Sequence, residues 1–557
     1  MDQETLEALD APKAPRGPDQ IVRPQPRRAL DRLASSLERK PALFLAPFLV
    51  MYAIVTLAHA QRRFWYDEFF TYYICRLPHL SDIFHAVMDG LDFNPPLLYL
   101  TTRLSWNAFG VSPMTTRIPQ MLGFLVFCLC IFVFTRRRAG TLFGFAAMSF
   151  PLLTAAYGYS SEARPYGIVM AFCGLAAIFW QSAASARRRH GALAGLALSA
   201  AGLILTHCYS VLIFMAFAAA ELVRLGTRRR ADWPLWLCLF APLSIGFAYL
   251  PMLRNVTAYA VNSISFHSGL GLAPRFYSFI FNDQSRAFEK SLMPETIWPL
   301  LIALIAVCLS RRDSRRADSY KDGEIHDRGR LPRHEFAFLL ALCLMPVYGN
   351  ILAGFTRAPF LDRYAVSAVF GISALLGILA SRVTGGNRRL GVGLAAGFSL
   401  WFATGFVLWF ASLFSQPKSY DFPLAKLSAL PAGLPIVMSD PLMFLEANYY
   451  EPPSVAARLR FLTDHESALR YIGTDMFDRG YYTMRRWFPI KGEVVEYRDF
   501  LATERQFYVY GPFDDPESWL LRKLTQENAD LNMKGQFRYP GSHGDSDILL
   551  RVDLTPK

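Results

Sequence analysis

In "RRFWYDEFFTYY", residues 62–73, two adjacent carboxylates, Asp67 and Glu68, stand inside a run of aromatics just after the first long apolar stretch. Taking a carboxylate out of water costs on the order of several kcal/mol unless it is paired, so acids in such surroundings call for a reason. An ionised carboxylate can accept a proton from a hydroxyl, which makes Asp67 a candidate general base with Glu68 beside it. Three more short stretches carry reactive side chains. "YSSEARPYG" contains Glu162, Arg164 and Tyr166, "LTHCYS" contains His207, and "FTRAPFLDRYAV" contains Arg357, Asp362, Arg363 and Tyr364. Arginines grip phosphate oxygens bidentately, so Arg164, Arg357 and Arg363 are candidates to steady developing negative charge. Glu68, Glu162 and His207 form a candidate divalent-metal set, with oxygen ligands suiting Mg or Mn and the imidazole admitting Zn. Each residue also has a plainer reading. The two acids suit the first turn of a helix, Glu162 and Arg164 suit a local pair, His207 suits a span end, and Asp362–Arg363 suits an interface anchor. The aromatics suit a membrane-interface belt.

The elements that must position these residues are mostly membrane spans. Of 557 residues, 53% are hydrophobic and only 18% charged, well below the ~25% of a soluble chain. About eleven windows are long and apolar enough to cross a bilayer: 41–60, 118–135, 139–156, 165–185, 191–206, 209–223, 233–253, 296–310, 335–353, 364–381 and 390–413. The net charge of +13 is distributed in basic clusters at 27–28, 136–138, 187–189, 228–230, 311–333 and 388–389, on every second connection. That pattern reports orientation, not nucleic-acid binding: the N-terminus is expected inside and the C-terminus outside. All four reactive stretches then fall on the outer side, while the inner loops carry arginines and little else. In the first outer loop, "LPHLSDIFHAVMDGLDF" has the three-and-four spacing of an amphipathic helix lying in the interface, and "NPPLLYL" restarts a helix that Asn94 can cap. No cleavable signal peptide is expected, and the eight cysteines, mostly within spans, do not suggest a disulfide framework. The expected domains are a disordered cytoplasmic tail over 1–40, a membrane unit over 41–413, and an outer α/β domain over 414–557. In the last, "LPIVMSD", "RLRFLTD", "QFYVYG" and "DILLRVDL" read as strands, with "HESALRYIGTDMFDRGYYTMRRW" and "PESWLLRKLTQENADL" as helices between them.

The ordered set "WYDEFFTYY", "NPPLLYL", "SSEARPYG", "LTHCYS" and "DRYAV" resembles the membrane glycosyltransferases of the GT-C fold. It is most similar to the bacterial protein-mannosyltransferase-like group (glycosyltransferase family 39), which includes aminoarabinose and lipopolysaccharide-core sugar transferases. The resemblance spans roughly 41–413. It implies a catalytic acid in the first outer loop, at Asp67, and a polyprenyl-phosphate-linked sugar as donor. Tyr166 is expected beside the arginines at the donor phosphate, and Asn94 and Tyr364 in the substrate pocket; by the same resemblance a soluble α/β domain follows on the outer face. Where aminoarabinose transferases place a lysine near the fifth span, this chain has His207. The expected activity is sugar transfer to a hydroxyl of a glycan, lipid or protein, on the periplasmic side of a bacterial inner membrane, with inversion at the anomeric carbon. Two other classes fit less well. A lipid-linked-sugar transporter would place its polar groups near the bilayer midplane, and a non-catalytic glycan-binding scaffold would have no use for the full acid and base set.

Overall fold

The structure is a computed structural model describing residues 26–185, 189–260, 273–281, 331–356, 360–415, 427–512, 518–537 and 547–554. The expected span at 296–310, the candidate Arg357 and the tail up to residue 25 lie outside these residues. Within them, the membrane unit begins with α1 (Pro26–Arg39), α2 (Ala42–His59), α3 (Tyr66–Cys75), α4 (Leu80–Met88), α5 (Leu97–Phe109), α6 (Pro113–Ala139), α7 (Thr141–Ser149) and the single turn α8 (Ala155–Gly158). It continues through α9 (Tyr166–Ala184), α10 (Arg189–Thr206), α11 (Val211–Arg228), α12 (Trp233–Phe240), α13 (Leu250–Ala260) and α14 (Ala273–Ile280). α15 (Arg333–Cys343), α16 (Met345–Thr356), α17 (Ala368–Val383) and α18 (Arg388–Ser415) complete it. Among the described residues, seven helices are long and apolar enough to cross a membrane, or up to nine if each of two bent pairs is one span. The window read at 139–156 is one such pair, bent by 69°. Pro151 opens its last turn as a tight 3₁₀ helix, and extended Thr154 restarts the helix by accepting from the Ala156 N–H. The window at 335–353 bends by 61° where α15 meets α16. The window at 364–381 is realised as α17, only 16 residues long, because Asp362–Ala365 turns as a separate 3₁₀ segment.

α6 and α9 pack closely enough to leave no room for side chains. A Cβ on Gly123 would lie 2.5 Å from the Gly167 carbonyl oxygen, and one on Gly167 would lie 2.5 Å from that of Gln120. Small residues permit such backbone approach between membrane helices. The contact brings the stretch before α9, with Glu162 and Arg164, against the start of α6. Several clustered arginines have acid partners: Arg138, at the far end of α6, pairs with buried Glu335, and Arg189 and Arg228 pair with Asp232, which Arg224 also joins. Those acids sit at span ends, which corrects the expectation of inner connections carrying arginine and little else.

The C-terminal part forms a six-stranded sheet in the order β3-β2-β1-β4-β6-β5, from β1 (Ile436–Met438), β2 (Leu459–Thr463), β3 (Glu493–Glu496), β4 (Gln506–Pro512), β5 (Asp530–Phe537) and β6 (Asp547–Asp553). β3, β2, β1 and β4 run parallel, as strands joined by helices must, and β6 and β5 add antiparallel. β3 and β5 were not expected: β3 is four residues long, and the helix read through Leu531 ends at Gln526 (Leu520–Gln526), with Asn528 at a positive φ of 55° turning the chain into β5. The helix read over 465–487 is two, α21 (His465–Ile472) and α22 (Met476–Trp487), broken where Gly473 takes a positive φ of 72°. They follow α19 (Pro441–Tyr450) and the turn α20 (Pro453–Ala456).

The α/β unit sits on α3. Tyr73 stacks on Phe488 at 4.8 Å, Phe70 meets the same ring at 6.0 Å, Tyr72 meets Tyr449 at 5.1 Å, and Tyr66 meets Phe477 at 6.1 Å. The Phe64 N–H donates to the Tyr450 hydroxyl at 2.8 Å. The aromatics around Asp67 therefore seat the C-terminal domain, where a lipid-facing belt was expected. α4 keeps its expected amphipathic character, with Ile83, Ala86 and Val87 buried and Leu80 and Phe84 exposed.

Candidate active site

α3 starts after Trp65, and acids in its first turn meet the partial positive charge of a helix N-terminus. The two carboxylates then part ways. Glu68 is fully buried and accepts from Arg117 Nε and Nη2, both at 2.7 Å, from Arg62 Nη1 at 3.1 Å, from the Trp65 N–H at 3.1 Å and from the Ala163 N–H at 2.7 Å. Burial pulls its proton affinity up, but Arg62 and Arg117 outweigh that and hold the carboxyl below its ordinary range. Arg117, also fully buried, spends its remaining N–H groups on the carbonyls of Ala60, Arg62 and Arg63. Glu68 is thus a cap and a bracket joining α3, α6 and the 162–164 stretch. This corrects its assignment as a catalytic partner or metal ligand, since both oxygens are already taken by donors.

Arg164 is similarly committed. Its Nη1 and Nη2 donate to Asp92 at 2.8 and 3.0 Å, and Nη1 also reaches the Asp67 carbonyl at 3.1 Å. Asp92, nearly inaccessible to solvent, further accepts from Asn94 Nδ2 and the Tyr99 hydroxyl. Burial raises the Asp92 carboxyl and Arg164 lowers it further, leaving it below the usual carboxylate range. Arg164 therefore holds the Asp67 carbonyl while Asn94 helps fix Asp92, and Arg164 is not among the cations left for a phosphate. This corrects the expected pocket-lining and phosphate-binding roles of these two residues.

Asp67 remains partly accessible. Its Oδ2 lies 3.0 Å from Arg363 Nη2, an ion pair not aligned as a hydrogen bond, and Arg363 Nε is buried with no hydrogen-bond partner among the described residues. Arg363 also borders a small cleft with Tyr166, His207, Tyr209, Tyr364 and Ser367, whose water-sized free space is about 10 Å³. Tyr364 stacks on Tyr209 at 4.3 Å and meets His207 at 5.1 Å, and Tyr166 meets His207 at 5.7 Å. α9 and α17 begin next to this cleft and α11 follows His207, so three helix N-termini gather near it, an arrangement that favours an anion. Burial, then the charge of Arg164, pushes His207 down to about 3, so its imidazole is neutral at physiological pH. Glu162 is close enough to Asp67 to feel its charge. Burial and the neighbouring Glu68 push its carboxyl up to about 7 against the pull of Arg62 and Arg363, and its buried Oε1 has no hydrogen-bond partner among the described residues.

The structure thus brings Asp67, Arg363, Tyr166, His207 and Tyr364 together and sets Glu68, Arg164 and Asn94 behind them. Among the described residues no three His, Cys, Asp or Glu side chains are placed to hold a metal ion. The trio of Glu68, Glu162 and His207 does not fit one: Glu68 is saturated by arginines, and His207 Nδ1 accepts from the Tyr209 N–H at 3.1 Å. Sequence reading missed Asp92 and Arg117. A lone arginine at the head of an apolar helix reads as an interface anchor, and only its position on the side otherwise poor in basic clusters marks Arg117 as unusual.

No family model matches the chain, and no curated protein matches it in sequence. Its structure is similar to ArnT from Cupriavidus metallidurans in the apo state, at 12% identity and a TM-score of 0.41 over 93% of this chain and 99% of that one. It is also similar to the same protein bound to undecaprenyl phosphate, at 13% identity and a TM-score of 0.40 over 93% and 100%. A third similar structure is the oligosaccharyltransferase of Archaeoglobus fulgidus tethered to an acceptor peptide, at 11% identity and a TM-score of 0.38 over 94% and 75%.

Proposed function

We propose that this chain is an integral-membrane glycosyltransferase. It moves a sugar from a polyprenyl-phosphate carrier to an acceptor hydroxyl on the outer, periplasmic face of a bacterial inner membrane. The observation that carries the reading is the pairing of a partly exposed carboxylate, Asp67, with Arg363, which lines a tyrosine-walled cleft where helices begin. Asp67 takes the acceptor hydroxyl proton as the acceptor oxygen bonds to the anomeric carbon. The bond from that carbon to the carrier phosphate breaks, and the departing phosphate keeps its electron pair and its negative charge. Arg363 and the nearby helix N-termini face that charge. Direct displacement needs no covalent sugar–enzyme intermediate and inverts the anomeric carbon, which NMR of the product's anomeric linkage would reveal; retention would overturn the single-displacement chemistry. With the protein reconstituted in liposomes containing lipid-linked sugar, Asp67→Asn is expected to lower transfer by ~10²–10⁴-fold, the usual worth of a positioned base. Transfer at the wild-type rate in a folded Asp67→Asn protein would refute the reading.

A further inference from the structure

Asp67 and the arginine expected to receive the carrier phosphate are each other's partners. Arg363 Nη2 lies 3.0 Å from Asp67 Oδ2, the contact lacks hydrogen-bond alignment, and Arg363 Nε stays unpartnered among the described residues. Of the neighbouring charged groups, Glu68 and Arg164 are locked into other pairs, and Glu162, though close enough to feel the charge of Arg363, has its buried Oε1 without a hydrogen-bond partner among the described residues. The pair is mostly buried yet unaligned, and it leaves both Asp67 Oδ2 and Arg363 Nε without a hydrogen bond among the described residues, whereas a phosphate can meet guanidinium N–H groups with aligned, charge-assisted bonds. The same guanidinium borders the cleft lined by Tyr166, His207 and Tyr364. We infer that the Asp67–Arg363 pair is a latch that the donor's phosphate exchanges: binding of the lipid phosphate takes Arg363 and releases Asp67 to act as a base. This rests on the glycosyl-transfer reading and adds to it an order of events, donor before acceptor. An acceptor arriving first meets a carboxylate already neutralised by its arginine.

The inference predicts a competition that binding alone can measure. Undecaprenyl phosphate is titrated into the full-length protein in detergent micelles, without any acceptor or turnover. Asp67→Asn, which removes Arg363's resident partner, is expected to bind roughly tenfold tighter than wild type, the worth of about one charge-assisted hydrogen bond. Arg363→Ala is expected to bind weaker. The deciding arm is the double variant: with Arg363 absent, Asp67→Asn should gain nothing. If Asp67→Asn tightens binding equally in both backgrounds, the carboxylate merely repels the phosphate and the latch is refuted. If it does not tighten binding in either background, the latch is refuted as well. Absence of lipid-phosphate binding in the wild type would instead defeat the functional reading itself. Should Arg363→Ala fail to fold, Arg363→Lys, which keeps the charge and loses the two-pronged geometry, serves in its place and should shrink the Asp67→Asn gain.

Discussion

At the scale of single residues, two adjacent acids illustrate how one helix turn separates roles. Asp67 keeps access to solvent and one loosely held arginine, while Glu68, one position on, is enclosed by donors from three elements. Removing one partner from a fully buried ion pair leaves the other charge stranded, at about 3–5 kcal/mol. Arg117→Ala is therefore expected to lower the thermal midpoint far more than Asp67→Asn, which a detergent melting curve would show. Glu162 supplies a pH signature. Its carboxyl sits at about 7 in the folded protein against an ordinary 4.5, so between those values the folded state holds a proton that the unfolded state has lost. Stability from this group is present below about 4.5 and falls away as pH rises through about 7, and Glu162→Gln should flatten that decline. Melting curves between pH 5 and 8 that are superimposable in slope for wild type and Glu162→Gln would contradict this. That Asp67, Arg363 and His207 are candidates was legible in the sequence because reactive types recur in short stretches between apolar windows. Asp92 and Arg117 were not, since a lone charge beside an apolar run looks the same whether it snorkels to water or closes a buried pair.

At the scale of elements, the site depends on how closely α9 approaches α6. Gly167 stands two residues after Pro165 and faces the Gln120 backbone with no space for a methyl group. Gly167→Ala is expected to cost about 1–3 kcal/mol by overpacking and to shift the 162–164 stretch away from Asp67. The matching measurement is a loss of transfer activity accompanied by a modest fall in thermal midpoint; unchanged activity would show that the two helices can part without disturbing the site. Periodicity and length sufficed to read the apolar windows, each of which, apart from the one at 296–310, has a described helix or bent pair. They could not reveal the bends, because Pro151 and the restart at Thr154 leave the apolar character uninterrupted. In the C-terminal part β3 escaped notice because it is only four residues long, and the strand beginning at Asp530 because the preceding helical pattern runs on into it. The aromatic run of α3 misled for another reason: rings suited to a lipid interface are equally suited to the domain that lies on them.

At the scale of the whole molecule, the proposed orientation places Asp67 and the α/β domain on one side and the arginine-rich helix ends on the other. A cysteine introduced at exposed Gln61 should react with an impermeant maleimide added outside spheroplasts, and one at exposed Ser185 only after the membrane is opened. The reverse pattern would invert the topology. The chain's beginning and the end of its membrane unit also meet: Arg389 pairs with Asp31, Arg388 with Glu38, and His59 lies 4.2 Å from the ring of Trp409. The partners of the first helices are thus made 358 positions later. At ribosomal speeds of ~5–20 residues per second, α1 and α2 wait roughly 20–70 s before that last neighbour emerges. A chain halted before α18 therefore lacks the partners of Asp31, Glu38 and His59, and the contacts that hold its first helices are among the last to be made.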